Sequence, residues 1–506
     1  MRQNKEMRRP STRLAAIRAA FAVAAGAVLA MAAAGEGLAQ TKGKPGGGYT
    51  RRSTGGPGIR IPLGVAAGVA AGASEVKAGK PPTPQRKAGP PPRRPGAPPA
   101  PPPATPARIT IPPANENRFA ADELVLEVAN DQSPQAIGSL TARHQVAVLE
   151  SIEFTLTNTI FIRTRIADGR PVRTVLAGMS AEPLLRSAQP NFAYELVQQQ
   201  DHANVPVSFE AQGGPPTATL PLSTDPARYA AAKMRLPEAH GLARGNNVLV
   251  AVIDSGIDIA HPDLRDGIAG NLDALNSPEG PHAHGTAIAG AVASRYQFMG
   301  AAPGARILAI RAFAGTVGFS FAIMKGIEYA VAQQARIINM SFAGPADPAA
   351  NGLLAMAHDK GLVLIAASGN FGPKSPPQYP GAAPHVIAVS ATDASDKLYF
   401  AANRGRHVSI SAPCVEVRLP APNGLYQTHS GTSFATGYVS GVAALVIERN
   451  PGIAADEVKR VLEATAKDLG PRGKDDQFGA GRIDAYQAVV TLEPQATATS
   501  PASNSK

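Results

Sequence analysis

Five largely apolar runs in the second half of the chain constrain its fold more than any other feature. They occupy residues 248–253, 307–310, 336–340, 362–366 and 386–389. Strands that are covered on both faces carry apolar residues without alternation, as the strands of parallel sheets do. Helix-length segments separate the runs, so the pattern predicts a doubly wound, mainly parallel α/β sheet over residues 226–492. In such sheets, functional side chains gather beyond the carboxyl ends of the strands.

The pattern of residues 117–200 predicts a smaller α+β domain that precedes the parallel sheet. Period-two alternation at 123–128 indicates its first strand. The segments that follow are helix-like at 134–144, strand-like at 146–154 and 158–164, helix-like at 172–179, and strand-like up to residue 192. This β-α-β-β-α-β order within about 80 residues is the split βαβ arrangement. By itself, that arrangement suits many small binding domains.

The first 39 residues have the pattern of an export signal. A basic stretch reaches Arg18, an Ala-rich apolar run covers 19–34, and Gly37-Leu38-Ala39 offers a small-residue cleavage site. The apolar run is shorter than the roughly 20 residues of a membrane-spanning helix, although an uncleaved anchor is the alternative. The pattern therefore predicts a protein that is secreted, or that resides in the periplasm or cell envelope.

Residues 40–116 are rich in Pro, Gly and basic side chains, which predicts a disordered linker. Eighteen of the 49 Lys and Arg residues, but three of the 38 Asp and Glu residues, lie before position 111. The formal net charge of +11 therefore arises outside the folded part, which argues against a nucleic-acid-binding surface. The basic linker is expected to associate with an anionic envelope surface, or to act as a Pro-rich stalk. A second linker at 201–225 and a disordered tail at 493–506 complete the predicted boundaries.

The chain has one cysteine, Cys414. One thiol cannot form an internal disulfide or a cysteine-based zinc cluster, so both are excluded as sources of stability. Core packing, or bound ions, must therefore stabilise the protein outside the cell.

Three short segments carry side chains suited to nucleophilic catalysis. Asp254 directly follows the first apolar run, where a buried carboxylate needs a partner. His284 lies at the head of a small-residue helix, two positions after His282, and Ser433 stands among small residues before another helical stretch. Backbone N–H groups and the helix dipole at such a start favour developing negative charge. Taken alone, the serine segment fits a serine-capped helix better than a nucleophile.

In their order along the chain, these segments resemble the aspartate, histidine and serine blocks of the subtilisin-like serine proteases, the subtilase family. The blocks read Val252-Ile253-Asp254-Ser255-Gly256, His284-Gly285-Thr286 and Gly431-Thr432-Ser433. Further matching segments lie at 302–305, 339–341, 367–370, 379–381, 403–405 and 479–481. The resemblance covers residues 226–492, and residues 119–198 resemble the family's inhibitory propeptide more loosely.

The resemblance implies a secreted serine endopeptidase that is made as a zymogen and acts through an acyl-enzyme intermediate. Ser433 is then the nucleophile, His284 the base, and Asp254 the partner that orients the imidazole. Asn370 matches the oxyanion donor of the family, which acts with the backbone N–H of Ser433. The implied partners are peptide or protein substrates and the chain's own propeptide, which is expected to be cut within residues 199–224.

An extended substrate is expected to add a strand beside Ser341, Phe342, Ala343 and Gly344 through main-chain hydrogen bonds. That mode of binding reads the backbone, so a broad peptide specificity is expected. Gln378 is hypothesised to lie at the base of the first side-chain pocket. A polar group at that place would shorten the pocket and disfavour large aromatic side chains.

The chain departs from the family pattern at several positions. Gly437 stands where the family usually has proline, four residues after the serine. The loop at 294–299 is short and lacks the Asn and Asp ligands that would hold calcium, although Asp263 matches a position that often ligates it. No metal ligand is therefore assigned, no cofactor is required for the chemistry, and calcium is an alternative without support. The alternative to an enzyme is a catalytically silent envelope-binding protein on the same scaffold.

Overall fold

The structure is a computed structural model that describes residues 107–196 and 228–492. The predicted export signal, most of the first linker, the second linker and the tail lie outside the described residues.

The described strands are, in chain order, β1 (Arg108–Ile109), β2 (Phe119–Ala129), β3 (Val146–Phe154), β4 (Thr159–Ile166), β5 (Leu185–Leu196), β6 (Leu249–Asp254), β7 (Ile268–Asp273), β8 (Arg306–Arg311), β9 (Phe313–Ala314), β10 (Val317–Phe319), β11 (Ile337–Met340), β12 (Phe342–Ala343), β13 (Val363–Ala367), β14 (Val386–Thr392), β15 (Val408–Pro413), β16 (Val417–Ala421) and β17 (Leu425–His429).

The described α-helices are α1 (Pro134–Arg143), α2 (Val172–Gly178), α3 (Tyr229–Lys233), α4 (Leu236–His240), α5 (Ala283–Ala293), α6 (Ser320–Ala332), α7 (Pro348–Asp359), α8 (Thr432–Arg449), α9 (Ala455–Ala464) and α10 (Ala485–Val490), and Arg265–Gly267 forms a short 3-10 turn. Of the helices in this part of the chain, none combines the length and the apolar character needed to cross a membrane.

The larger part of the structure is built around a seven-stranded sheet in the order β15-β14-β13-β11-β6-β8-β7. The strand pairs of this sheet are parallel. The five apolar runs form β6, β8, β11, β13 and β14, so the predicted parallel sheet is confirmed. The edge strands β7 and β15 lack such a run, which is why the sequence did not predict them.

Both faces of this sheet are covered by helices, which explains why its strands do not alternate. Val250 and Val252 of β6 pack in the core cluster that contains α5 and α8. Ala251 and Ile253, on the opposite face, pack in the cluster that contains α6 and α7. The doubly wound architecture therefore follows from the burial of both faces of the same strand.

The smaller part has the predicted β-α-β-β-α-β order, formed by β2, α1, β3, β4, α2 and β5. Its strands lie antiparallel in the order β3-β4-β2-β5. β1 adds a short parallel strand, in which Arg108 and Ile109 pair with Ser187 and Ala188. Ordered structure thus begins before residue 117. The sequence did not predict this start, because a two-residue strand after a Pro-rich stretch displays no alternation.

β5 continues beyond the smaller part and enters the larger one. It pairs antiparallel with β10, where Tyr194 lies opposite Gly318, and with β12, where Leu196 lies opposite Phe342. The last residues of β5 therefore form a strand between two short strands of the larger part. The two parts also share one apolar cluster, which includes Phe154, Phe161, Phe192, Phe313 and Phe321.

Two glycines account for the close packing of α8 against α5 and the loop that follows α5. A Cβ atom at Gly441 would lie 2.5 Å from Cβ of Ala301 and 3.0 Å from the carbonyl oxygen of Val292. A Cβ atom at Gly437 would lie 2.9 Å from Cβ of Ala291. Position 437, one of the departures noted in the sequence, therefore faces α5 at a distance that leaves little room for a side chain.

Gly441→Ala is expected to lower the free energy of unfolding by about 1–3 kcal/mol, because the added methyl group overlaps with atoms fixed by the backbone. Gly352→Ala in α7 is the matched control, since no heavy atom lies within 4 Å of the Cβ that it adds. In this exposed control, the free energy of unfolding should rise by about 0.5–1 kcal/mol, because alanine restricts the conformations of the unfolded chain. Urea unfolding of both variants measures the difference, and equal stabilities would contradict the packing argument.

Candidate active site

Asp254 and His284 form a buried pair at the end of the central strand. Asp254 is the last residue of β6, and His284 is the second residue of α5. Nδ1 of His284 lies 2.8 Å from Oδ1 of Asp254, and neither side chain is exposed. Oδ1 also accepts hydrogen bonds from the backbone N–H of Ser255 at 2.7 Å and from its hydroxyl at 3.1 Å. These donors offset part of the desolvation cost of the carboxylate. The contact with Oδ1 places the proton of the neutral imidazole on Nδ1.

His282, the other candidate histidine, is the N-cap of α5. Its Nδ1 accepts from the backbone N–H of His284 at 3.2 Å. Burial, and then the neighbouring His284, lower the pKa of His282, which keeps the ring a neutral acceptor. The two histidines therefore have different tasks: His282 starts the helix, and His284 faces the carboxylate.

Ser433 lies in the first turn of α8, after Gly431, which adopts a φ of +140° that favours glycine. Its hydroxyl donates to the carbonyl oxygen of Ser341 at 3.1 Å, and the hydroxyl of Ser341 donates to the carbonyl oxygen of Ser433 at 2.9 Å. The next residue, Phe434, has its ring centroid 5.3 Å from that of His284. Within the described part of the chain, Nε2 of His284 has no hydrogen-bond partner. The first turn of α8 thus lies beside an imidazole nitrogen that is able to accept a proton.

Asn370 is held against the start of α8 by Thr432. Its Oδ1 accepts from the backbone N–H of Thr432 at 3.2 Å and from the hydroxyl of Thr432 at 2.8 Å. Because Oδ1 is fixed in this way, the Nδ2 donor is directed away from Thr432. An oxyanion donor needs this kind of fixed orientation.

Asn403 braces the loop that carries Asn370, a role that the sequence did not reveal. Its Nδ2 donates to the carbonyl oxygen of Ser368 at 2.9 Å, and its Oδ1 accepts from the backbone N–H of Phe371 at 2.8 Å. Asn403 is fully buried. The sequence indicates only that its segment matches the family, since the contact joins residues far apart in the chain.

The segment that is expected to bind an extended substrate lies along the end of β5. Phe342 and Ala343 form β12, which pairs with Leu196 and Glu195. Gly344 continues this edge: a Cβ atom there would lie 2.4 Å from the ring of Tyr194. The main chain of β5 therefore occupies the position that sequence reasoning gives to an extended substrate.

Gln378 is buried and contacts the smaller part of the structure. Its Oε1 accepts from Nη1 of Arg118 at 2.8 Å, and its Nε2 donates to the carbonyl oxygen of Pro376 at 3.0 Å. Both the oxygen and the nitrogen of the side-chain amide are thus paired. A place at the base of the first pocket stays a prediction for this residue.

Comparison with known proteins identifies the family. The Subtilase family model matches residues 245–481. Subtilisin E from Bacillus subtilis (strain 168) is 34% identical over 274 residues, which cover 52% of this chain and 71% of subtilisin E. The chain belongs to the subtilase family. It is accordingly a serine endopeptidase, and the family needs no cofactor for its chemistry.

Further relatives agree with this membership. Thermitase from Thermoactinomyces vulgaris is 32% identical over 271 residues, which cover 52% of this chain and 95% of thermitase. The solved structure of fervidolysin from Fervidobacterium pennivorans, a keratinolytic enzyme related to subtilisin, aligns with a TM-score of 0.61 at 22% identity. That alignment covers 76% of this chain and 63% of fervidolysin, and it shows a shared fold.

Calcium binding is common among subtilases, but the surroundings of Asp263 do not fit a calcium site. Asp263 is buried, and its Oδ2 accepts from the hydroxyl of Ser294 at 2.6 Å. Its Oδ1 accepts from the backbone N–H of Gln297 at 3.3 Å, and the hydroxyl of Tyr426 donates to the same carboxylate. Calcium needs six to eight oxygen ligands, whereas these groups are donors that already satisfy the carboxylate.

A group of side chains that could ligate a metal ion is formed by His358, His385 and Asp456, none of which is a candidate active-site residue. The two imidazole rings stack with centroids 4.3 Å apart and an interplanar angle of 28°, so their in-plane lone pairs do not converge on one point. Nε2 of His358 lies 3.2 Å from Oδ1 of Asp456, and this hydrogen bond accounts for the pair. No metal role is assigned to the group.

His429 makes the stability of the folded state depend on pH. Its ring lies against Phe434 with centroids 4.5 Å apart, and its Nε2 is buried. Burial, and then the nearby His284, lower the pKa of His429 to about 3. Because the unfolded state has a pKa of about 6.5, it binds more protons than the folded state between these values. The stability contributed by neutral His429 is therefore complete above that range and lost as the pH falls through it.

His429→Phe in the full chain is expected to flatten the fall in unfolding free energy between about pH 6.5 and pH 3, because the ring keeps its volume but no longer titrates. His385→Gln, at an exposed position away from His284, is the matched control and should keep the wild-type slope. Urea unfolding at a series of pH values measures both slopes. Identical slopes for wild type and His429→Phe would contradict the assignment.

Proposed function

We propose that this endopeptidase acts through a triad of Asp254, His284 and Ser433, and that it is made as a secreted zymogen. The observation that carries the proposal is the buried 2.8 Å contact between His284 and Asp254 beside the first turn of α8. The proposal of secretion rests on the export-signal pattern of residues 1–39. The alternative of a silent envelope-binding protein has no structural observation in its favour.

The proposed reaction begins when the hydroxyl of Ser433 turns from the carbonyl oxygen of Ser341 to Nε2 of His284. The oxygen attacks the scissile carbonyl carbon while Nε2 takes the proton, and Asp254 stabilises the resulting imidazolium. The proton then passes to the leaving amine as the C–N bond breaks, which leaves an acyl-enzyme on Ser433. A water molecule, deprotonated by the same nitrogen, attacks the ester and restores the free serine.

The negative charge that develops on the carbonyl oxygen is proposed to be stabilised by Nδ2 of Asn370 and the backbone N–H of Ser433. The N–H of Ser433 lies in the first turn of α8, and Asn370 contacts Thr432 at the start of the same helix, where the helix dipole favours an anion. The contact of Oδ1 with Thr432 supports this role, because it fixes the orientation of the side-chain amide. Removal of one such donor costs about 2.7–4 kcal/mol of transition-state stabilisation.

Residues 117–200 are proposed to be the propeptide, which assists folding and blocks the substrate groove. Two amide side chains of β5 support the first role. Oδ1 of Asn191 accepts from the backbone N–H of Phe321 at 3.1 Å, and Oε1 of Gln189 accepts from the backbone N–H of Ala349 at 3.0 Å. These bonds satisfy donors at the starts of α6 and α7 that would otherwise be left without a partner on burial. The pairing of β5 with β10 and β12 supports the second role.

Charged contacts also join this segment to the helix that it covers. Nζ of Lys325 in α6 lies 2.6 Å from Oε1 of Glu150. The carboxylate of Glu328, one turn further along, accepts from the backbone N–H groups of Thr155 at 2.8 Å and Leu156 at 3.2 Å. The interface therefore combines paired polar groups with a shared apolar core, as a tightly held inhibitor requires.

The wild-type protein, after removal of residues 117–200, is expected to react with a fluorophosphonate probe, because the probe traps an activated serine. Ser433→Ala should abolish the labelling, and Ser440→Ala in the same helix should retain it. Gel fluorescence of the labelled protein is the measurement. Labelling that does not depend on Ser433 would defeat the proposal.

The mature enzyme is expected to begin within a few residues after Leu196. Leu196 lies opposite Phe342, and the preceding Ser341 contacts Ser433, so the bond to be cut follows the end of β5 closely. This places the cut at the start of the range 199–224, or just before it. N-terminal sequencing of the processed protein tests the expectation, with the uncut Ser433→Ala precursor as control if maturation is autocatalytic. A mature N-terminus near residue 220 would contradict it.

A further inference from the structure

Asp347 is a buried carboxylate at the end of the substrate groove. It is the N-cap of α7, where its Oδ1 accepts from the backbone N–H of Ala350 at 3.0 Å. Its Oδ2 accepts from the hydroxyl of Ser320, the first residue of α6. The side chain is fully buried, and among the described residues no Lys or Arg forms an ion pair with it. Its charge is therefore stabilised by neutral donors alone.

Two of the donors to this carboxylate come from β5. Nε2 of Gln189 donates to Oδ1 at 2.7 Å, and the hydroxyl of Tyr194 donates to Oδ2 at 3.2 Å. Each oxygen of Asp347 thus has one partner from the larger part of the structure and one from the segment that occupies the groove. When that segment leaves, each oxygen loses one of its two donors.

The pocket around Tyr194 is shaped for an aromatic ring. Tyr194 packs edge-on against Phe342, with centroids 5.6 Å apart and an interplanar angle of 84°. Its ring lies on Gly344, where any side chain would collide with it. Tyr194 is buried, and its backbone pairs with Gly318 of β10. Burial and the adjacent Asp347 raise the pKa of Tyr194, so the phenol remains a donor.

We propose that Asp347 is a specificity-determining residue, and that this pocket selects tyrosine over phenylalanine in substrates. The inference rests on the proposed function, because it assumes that a substrate follows the path of β5 through the groove. A phenylalanine in the pocket would fill the same volume but would leave Oδ2 of Asp347 with Ser320 as its remaining donor. A buried carboxylate that lacks a donor is costly, whereas a tyrosine hydroxyl restores the contact.

The selection therefore has two components. The ring contacts with Phe342 and Gly344 favour aromatic side chains in general. The carboxylate discriminates among them by the hydroxyl, and a hydrogen bond to a charged group corresponds to at least a roughly tenfold preference.

Synthetic peptides that carry the chain's own sequence from 188 to 203 test the inference. They have tyrosine, phenylalanine or O-methyltyrosine at position 194 and are digested by the mature enzyme, with mass spectrometry to confirm that the same bond is cut. The tyrosine peptide is expected to have a kcat/KM about tenfold above that of the other two. In Asp347→Ser, which keeps a capping hydroxyl for α7, this ratio should fall to about one. Asp456→Ser, which removes an exposed carboxylate in α9, is the matched control and should keep the wild-type ratio.

Equal cleavage of the tyrosine and phenylalanine peptides by the wild-type enzyme would overturn the inference and leave the proposed function intact. A tyrosine preference that survives in Asp347→Ser would also overturn it. Absence of cleavage together with absence of Ser433-dependent labelling would defeat both proposals. If Asp347→Ser does not fold, the tyrosine and phenylalanine peptides with the wild-type enzyme still decide, because they differ only in the hydroxyl that reaches Asp347.

Discussion

The burial of carboxylates without a Lys or Arg partner is the constraint on which the rest of this structure depends. Asp254, Asp263 and Asp347 are buried, and none forms an ion pair with Lys or Arg in the described residues. Each accepts hydrogen bonds instead from imidazole, hydroxyl, amide or backbone N–H donors, which at Asp254 all reach Oδ1. Because such a group is costly when a donor is missing, the surrounding loops and helix starts must keep fixed positions. The geometry at His284 and the shape of the groove follow from this requirement.

The second organising feature is the insertion of β5 between β10 and β12. Backbone hydrogen bonds to both neighbours, together with the two amide caps from Gln189 and Asn191, join the smaller and larger parts into one hydrogen-bonded unit. The groove proposed for an extended peptide and the interface with the N-terminal segment are therefore largely the same surface. For this reason, the side chain that Tyr194 places in its pocket indicates which substrate side chains the pocket would accept.

Features with a local signature were predictable from the sequence. Continuous apolar runs gave the central strands, because burial on both faces leaves a pattern that is visible without a structure. Asp254 and His284 could be noticed because each stands at the end of an element with a clear pattern. Contacts between distant segments were not predictable: Asn403 acts on Ser368, 35 positions away, and Phe192 contacts Ser320, 128 positions away. Such pairings depend on tertiary packing, which a single sequence does not display.

The continuity of β5 with the rest of the chain has a thermodynamic consequence. While the chain is uncut, the strand in the groove belongs to the same molecule, so its effective concentration is fixed by the connection and does not change on dilution. After a cut beyond Leu196, the same hydrogen bonds must hold two separate molecules together, and the occupied fraction then depends on how concentrated the protein is. The proposed cleavage of a single bond would thus convert a concentration-independent block into a concentration-dependent one, without any change in the contacts themselves.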